Sequence, residues 1–405
     1  MLDANKIRED FPILNTLQHG KPLVYLDNAA TMQMPQPVLE QVIAHYQREN
    51  GNVHRGVHSL SQQSTAAMEN ARETVAEYIG AKAEEIVFTA GTTDALNMLS
   101  EMLEQMIHKG QQIIVSAMEH HSNLIPWQEV CKRTGAVLKV LPMDQNGDLD
   151  LEVLKHLLEK STAIVAVAWV SNVLGTINPI GEITLMSHDA GAITVVDGAQ
   201  AMKLANIDVT MIDCDFMAFS GHKLGALTGI GVLYGKKQIL RELKPARYGG
   251  GMIQKTQYSI SQYANIPQRF EAGTPNYVGA ISLGYAIKYL QSVGVADIAI
   301  YEQKLTDLLV SQLSKIQEVT ILGKSKWQCG TVSFVVSGVH SFDLGAMLDS
   351  QGIAVRTGHM CAQPLVNALG YDNVIRVSLA FYNTEQEIND FINALKRILP
   401  LLKGE

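Results

Sequence analysis

The chain has only four cysteines among 405 residues, Cys131, Cys214, Cys329 and Cys361, and no two of them stand at Cys-x-x-Cys spacing. That scatter argues against both a zinc site and a disulfide framework. No apolar run approaches the ~18 residues of a membrane helix, and Met1 to Leu14 mixes acidic and basic residues with isolated apolar ones, so no signal-peptide core is expected. Clusters of Lys and Arg are also lacking. With a formal net charge of -8 the chain offers no stripe of positive charge for phosphate neutralisation, which excludes broad nucleic-acid binding. No internal repeat or low-complexity tract is present. What remains is a folded chain, expected in the cytoplasm, away from membranes, with small molecules or proteins as partners.

Hydrophobic residues make up 47% and charged residues 18%, enough apolar material for a large core and too little polar bias for disorder. Short apolar runs at 86–90, 112–117, 136–141, 163–170, 192–197, 215–220 and 230–234 alternate with helix-length segments. That alternation predicts an α/β fold with a mostly parallel sheet of seven strands covered on both faces. The last two runs are too close for a helical crossover, so an antiparallel pair is expected at one edge. Apolar spacing at Ile298, Tyr301, Leu305, Leu308, Leu309 and Leu313 predicts a long helix. Strands are expected at 330–337 and 374–379, and a terminal helix at 384–402. These elements place a large domain at 21–294 and a smaller α+β domain at 295–405, joined by residues 1–20.

In an open parallel sheet, ligands collect at the carboxyl ends of the strands. Four such ends carry polar residues. Gly91-Thr92-Thr93 opens a helical stretch whose free N–H groups suit a phosphate, although a threonine N-cap accounts for the sequence equally well. Glu119-His120-His121 offers an imidazole that could stack on a flat ring. Ser171-Asn172 offers an amide for a carboxylate or a ring oxygen, or a simple turn asparagine. Asp197 ends the run Ala-Ile-Thr-Val-Val, and Gln200 follows three residues later.

Beyond the next run stands Ser220-Gly-His-Lys223. An aspartate at the end of a buried strand and a lysine just past the following one form the pair required by pyridoxal phosphate. The lysine holds the cofactor as a Schiff base, and the acid keeps the ring nitrogen protonated so that the ring accepts electrons. Ser220 and His222 fall near the anion expected at Thr92, and Gly221 suits a tight turn. Lys223 must be partly neutral, which an apolar or cationic pocket favours.

Cys361 lies in Arg356-Thr-Gly-His-Met-Cys-Ala-Gln-Pro364, which reads as a loop. His359 is placed to help form its thiolate. Arg356 and Arg376 are near in sequence, and a guanidinium fork fits a substrate carboxylate, although a solvated surface charge is the alternative for each. The other three cysteines read as small buried hydrophobes. No P-loop or dinucleotide fingerprint survives inspection: Glu318 stands where the first P-loop glycine is required, and Gly229-Ile-Gly231 precedes a strand.

Nearly end to end, the chain resembles the pyridoxal-phosphate cysteine desulfurases of the group II, SUF-type branch, which also includes selenocysteine lyases. The resemblance rests on Tyr25-Leu-Asp-Asn-Ala-Ala-Thr31, Val53-His-Arg-Gly-Val-His58, Glu119-His-His-Ser-Asn-Leu-Ile-Pro-Trp127, Val196-Asp-Gly-Ala-Gln200, Ser220-Gly-His-Lys223, Phe270-Glu-Ala-Gly-Thr-Pro275, the Cys361 loop and Arg376-Val-Ser-Leu-Ala-Phe-Tyr-Asn-Thr384. It implies the aspartate-aminotransferase-like fold, fold type I, and a homodimer with sites at the subunit interface. Lys223 is then the Schiff-base lysine, Asp197 the pyridinium partner, Gln200 the ligand of the ring hydroxyl and His120 the stacking base. Thr92, Thr93, Ser220 and His222 hold the phosphate, with Thr274 reaching in from the other subunit. Arg376 and Asn172 take the substrate carboxylate, while Ala29, Arg356, His54 and Arg55 line the pocket.

The resemblance further implies that L-cysteine, and selenocysteine by the same chemistry, gives up its chalcogen to Cys361. The resulting persulfide passes to a sulfur-acceptor protein of the SUF system for iron–sulfur cluster assembly. One position departs from the family, whose loop has two histidines before the cysteine where this chain has His359-Met360. An aminotransferase or lyase in which Cys361 is incidental, and a scaffold that kept only the fold, are the other readings.

Overall fold

In the computed structural model, which describes residues 2–404, the seven apolar runs form one seven-stranded sheet. In chain order they are β1 (Ile86–Thr89), β2 (Gln112–Ser116), β3 (Val137–Leu141), β4 (Thr162–Ala168), β5 (Ile193–Asp197), β6 (Phe216–Ser220) and β7 (Gly231–Gly235). The spatial order is β1-β7-β6-β5-β4-β2-β3. Strands β3, β2, β4, β5 and β6 run parallel, whereas β7 is antiparallel to both β6 and β1. The antiparallel strand is therefore one place in from the edge rather than at it, with β1 outside it. Strands β4 to β7 are buried almost throughout, as expected of a sheet covered on both faces.

Helix α1 (Ser59–Ile79) stops at Gly80, whose left-handed conformation closes the C-terminus. Helix α2 (Thr92–Glu104) starts directly after β1 with Gly91 at the cap and no side-chain cap bond, so the N-cap role weighed for threonine is not used. Helix α3 (Tyr277–Val293) packs against α1. The periodic stretch after it is α4 (Val295–Leu313), which buries Ile298, Leu305, Leu309 and Leu313 on one face.

A second, four-stranded sheet is built from β8 (Val319–Leu322), β9 (Thr331–Val336), β10 (Arg356–Gly358) and β11 (Val374–Ser378), in the order β8-β9-β11-β10 and antiparallel throughout. Two of these strands were expected from sequence, and β8 and β10 were not. Both are three or four residues long and poorly patterned. The first three residues of the Arg356 segment are thus strand rather than loop, because Arg356 pairs in register with Arg376. The terminal helix α5 (Glu385–Lys403) opens with a capping box between Thr384 and Glu387. It packs Phe391 and Leu395 into a core shared with Phe334, Leu309, Val24 and Leu26. The N-terminal segment lies against this C-terminal part: Arg8 donates to Glu387 Oε1 at 2.9 Å and to the Tyr382 carbonyl at 2.8 Å.

Candidate functional site

A cavity of ≈ 350 Å³ lies at the carboxyl ends of β2, β4, β5 and β6 and is closed on one side by residues 356–361 and by β11. The sheet register sets its floor. Ala168, Asp197 and Ala218 lie side by side on β4, β5 and β6, so the last residue of β5 points its carboxylate into the cavity between two apolar neighbours. Asp197 is buried, and its Oδ1 accepts from Ala199 N–H at 2.9 Å. Burial pushes its carboxyl pKa up, and the nearby Lys223 ammonium pulls it back.

Strand β6 ends at Ser220 and turns tightly through Gly221–Lys223. Gly221 is needed there for space rather than for an unusual backbone angle, since an added Cβ would meet Ile230 Cγ2 at 2.8 Å. The turn delivers Lys223 beside Asp197. Burial, reinforced by Arg376, lowers the Lys223 ammonium pKa to about 8 against the opposing pull of Asp197 and Cys361. A lysine in that range is a usable base and nucleophile near neutrality.

The N-terminus of α2 faces the same turn. Thr92 N–H donates to Ser220 Oγ at 2.7 Å, and the Thr92 and Ser220 hydroxyls are also 2.7 Å apart. Thr93 pairs its hydroxyl with Ser122 at 2.7 Å. Four hydroxyls and a helix N-terminus form an anion cradle. His222 completes its wall and lies 3.2 Å from the Thr31 hydroxyl.

His120 lines the opposite side. Its Nδ1 accepts from Ser122 N–H at 3.0 Å, and burial next to Lys223 lowers its pKa to about 4, so it is neutral. Glu119, which the sequence reading left without a role, fixes this corner from behind. Its carboxyl group accepts from Asn123 Nδ2 at 2.7 Å and from Ala168 N–H at 2.9 Å, and it bonds the Ser116 hydroxyl. Burial raises its pKa to about 8. Its position next to the histidine pair was the only signal in the sequence.

Arg376 is 3% exposed, and each terminal nitrogen is engaged. Nη2 donates to Asp27 Oδ1 at 2.8 Å and Nη1 to the Asn172 carbonyl at 3.0 Å. Its Nε is buried with no hydrogen-bond partner among the described residues. Nη1 and Nη2 each carry a second N–H beyond these bonds, so the guanidinium keeps donors where it borders the cavity. Asp27 is a second residue missed in sequence. It lies within the Tyr25–Thr31 motif and also sits 3.9 Å from Arg356, which is half exposed at the rim.

Asn172 and Gln200 each give one of their two amide N–H groups to a protein carbonyl. Asn172 Nδ2 donates to Met360 O at 2.7 Å, and Gln200 Nε2 to Ala29 O at 2.8 Å. Met360 is buried and packs in the main core. Cys361 is exposed at the cavity mouth. Met360 and Cys361 both have left-handed backbone, with φ of 54° and 55°, a conformation that costs a non-glycine residue on the order of 1–3 kcal/mol. Of the other cysteines only Cys214 is fully buried, while Cys131 and Cys329 are half-buried. Three expected site residues lie elsewhere. His54, Arg55 and Thr274 are exposed and outside the cavity of this subunit.

The geometry has a counterpart in known proteins. Residues 24–391 match the family described as aminotransferase class-V. The chain belongs to that family. Within it, the chain is 44% identical over 404 residues to the cysteine desulfurase of Enterobacter sp. (strain 638), covering 98% of this chain and 99% of the relative. It is also 44% identical over 398 residues to the probable cysteine desulfurase of Halalkalibacterium halodurans, covering 98% of each. The fold is similar to that of an apo cysteine desulfurase from Thermococcus onnurineus NA1, with a TM-score of 0.94 and 38% identity across 100% of this chain and 99% of that one. The Escherichia coli cysteine desulfurase CsdA, in its S-sulfonic acid form, superposes with a TM-score of 0.91 at 36% identity over 99% of this chain and 100% of its own. The fold expected from the resemblance, including the smaller C-terminal domain, is therefore the one observed.

Proposed function

We propose that this class-V family member is a pyridoxal-phosphate-dependent cysteine desulfurase that converts L-cysteine to L-alanine and takes the sulfur onto Cys361 as a persulfide. The observation that carries this reading is that Cys361, exposed on a strained loop, opens into the same cavity as the buried Asp197 and the half-buried Lys223.

The residues present fit the cofactor. Thr92, Thr93, Ser220 and His222 would hold its phosphate, His120 would stack on the ring, Asp197 and Gln200 would bind ring nitrogen and hydroxyl, and Lys223 would hold the aldehyde carbon. When bound, pyridoxal phosphate supplies an electron sink for bond cleavage at the substrate amino acid. Arg376, through the second N–H of Nη1 or Nη2, and Asn172, through its second amide N–H, bind the substrate carboxylate beside Ala29, and Arg356 borders the entrance. Lys223 Nζ accepts the α-proton, which its lowered pKa allows near neutrality. The Cys361 thiolate then attacks the substrate sulfur. The carbon–sulfur bond breaks with its electron pair left on the carbon fragment, which is reprotonated to alanine. One cysteine and one protein thiol thus become one alanine and one persulfide.

Selenocysteine, whose carbon–selenium bond is weaker, is a second substrate under this scheme. The persulfide goes on to a sulfur-acceptor protein of the SUF system. A cytoplasmic location accords with this role, and no helix among the described residues is long and apolar enough to cross a membrane. We take the active form to be a homodimer in which His54, Arg55 and Thr274 of each subunit complete the other's site. Support comes from their exposure and from the exposed apolar side chains Val57, Tyr258 and Ile260 on the same loops or close to them in sequence. The large domain is placed at 21–294 and the small one at 295–405 with residues 1–20. Val24 and Leu26 pack in the C-terminal core, which favours a start of the large domain a few residues later than 21.

The test is alanine and sulfide release from L-cysteine under reductant, comparing the wild type with Cys361→Ala. Alanine from the wild type alone supports the proposal. Equal alanine from both would make the protein a lyase in which Cys361 is dispensable.

A further inference from the structure

The loop carrying Cys361 is fastened at three backbone points to the connections that follow β2 and β4, and two of them end on one residue. His121 N–H donates to Cys361 O at 2.7 Å, and Gln363 N–H donates to His121 Nε2 at 3.1 Å. The third is the bond from Asn172 Nδ2 to Met360 O. The bond from Ala362 N–H to His359 O, at 2.9 Å, is internal to the loop and anchors nothing. His121 therefore brackets the cysteine, gripping its own carbonyl on one side and the amide two residues on from the other.

We propose that His121 is a positioning residue that holds Cys361 at the cavity mouth in its left-handed conformation and sets how readily the loop lets go. This rests on the desulfurase reading. The physical reason is that two consecutive non-glycine residues in left-handed backbone do not stay there unaided. Neighbouring contacts must over-determine them. On the Cys361 side those contacts come from His121. The imidazole can accept from Gln363 only through an unprotonated Nε2. Burial and the nearby His359 lower the His121 pKa, which keeps that acceptor available. With Nε2 engaged by Gln363, that nitrogen is not free to take the Cys361 proton, so the ring acts on the thiol's position and not on its ionisation. Gln363 is exposed, so water can replace the grip when the loop swings outward to pass sulfur on.

Two variants test this. His121→Leu removes the acceptor at similar size, and His121→Gln restores a side-chain acceptor near the position of Nε2. Neither alters the main-chain bond to Cys361 O. In cofactor-free protein, iodoacetamide alkylation of Cys361, followed by mass spectrometry, should quicken about fivefold in the Leu variant, the shift in an opening equilibrium expected when one hydrogen bond is lost. It should return toward wild type in the Gln variant, with Cys131 and Cys329 unchanged in both.

In cofactor-loaded protein, the absorbance change on mixing with L-cysteine should persist in both variants. In the Leu variant kcat for alanine release should fall by a similar factor while KM stays within about twofold, and Gln should restore it. The proposal is overturned if Leu leaves alkylation and kcat unchanged, or if Gln fails as Leu does. It is also overturned if Cys131 and Cys329 quicken along with Cys361, or if the absorbance response is lost together with alanine release. A wild type that makes no alanine at all would instead remove the desulfurase reading, and the alkylation result would still be legible.

Discussion

Arg72 and Glu271, 199 residues apart in sequence, form a two-pronged ion pair with both partners almost fully buried. Arg72 Nη1 donates to Glu271 Oε1 at 2.7 Å and Nη2 to Oε2 at 2.9 Å. The same guanidinium binds Glu69 and the Ile86 carbonyl and lies 4.5 Å over the Phe88 ring, while Glu271 Oε1 also accepts from Phe88 N–H. The pair ties α1 and β1 to the segment that presents Thr274.

Removing one partner strands the other charge in the core. Arg72→Met should therefore lose about 3–5 kcal/mol of stability, read as a lower urea midpoint. Arg72→Lys keeps the charge but not the fork, and should lose less.

Burial, with Arg376 nearby, lowers the Lys223 ammonium pKa to about 8. Only its neutral form condenses with an aldehyde, and the neutral fraction grows as pH rises through that value. Uptake of pyridoxal phosphate by cofactor-free protein should therefore accelerate between pH 7 and 9 and then level off, as followed by absorbance. Lys223→Ala should lose the dependence and the covalent signature together. A flat profile in the wild type would place the lysine pKa elsewhere.

The proposed function assigns the substrate carboxylate to Arg376, whose guanidinium keeps N–H donors beyond its bonds to Asp27 and Asn172. Arg376→Lys should lower kcat/KM for L-cysteine by about 10- to 100-fold, the range for a lost charge-assisted bond, mostly through KM. Arg376→Ala should do more, because Asp27 is then left facing the cavity without its partner.

The four thiols should separate cleanly toward iodoacetamide. Cys361 is exposed and should react first. Burial raises the Cys329 thiol pKa to about 12 and pushes Cys214 higher still, so half-buried Cys329 should react slowly and fully buried Cys214 should resist until the protein is unfolded. Mass spectrometry of the native protein should show Cys361 modified ahead of Cys131, with Cys214 untouched.

Ile260 and Tyr258 are exposed apolar side chains on or beside a two-stranded hairpin. If the proposed homodimer forms through this hairpin, Ile260→Asp should yield a monomer by light scattering and abolish turnover, since Thr274, His54 and Arg55 do not line the cavity of their own subunit. A monomeric wild type with full activity would remove these residues from the site.

What the sequence determined by itself was the set of groups and their order. Alternating apolar runs fix strands because a buried parallel strand must be continuously apolar, and each run ended where a polar residue could face a ligand. Asp197, Lys223, His120 and Thr92 were legible for that reason. Only the tertiary structure decided how the groups are held. Asp27, Glu119 and His121 act on residues 349, 49 and 242 positions away, and no local pattern encodes a hydrogen bond across such a distance. The same holds for β10, whose three residues become a strand only because β11 lies beside them. It holds too for the paired left-handed residues at Met360 and Cys361, a conformation that neither side chain favours and that the surrounding contacts impose.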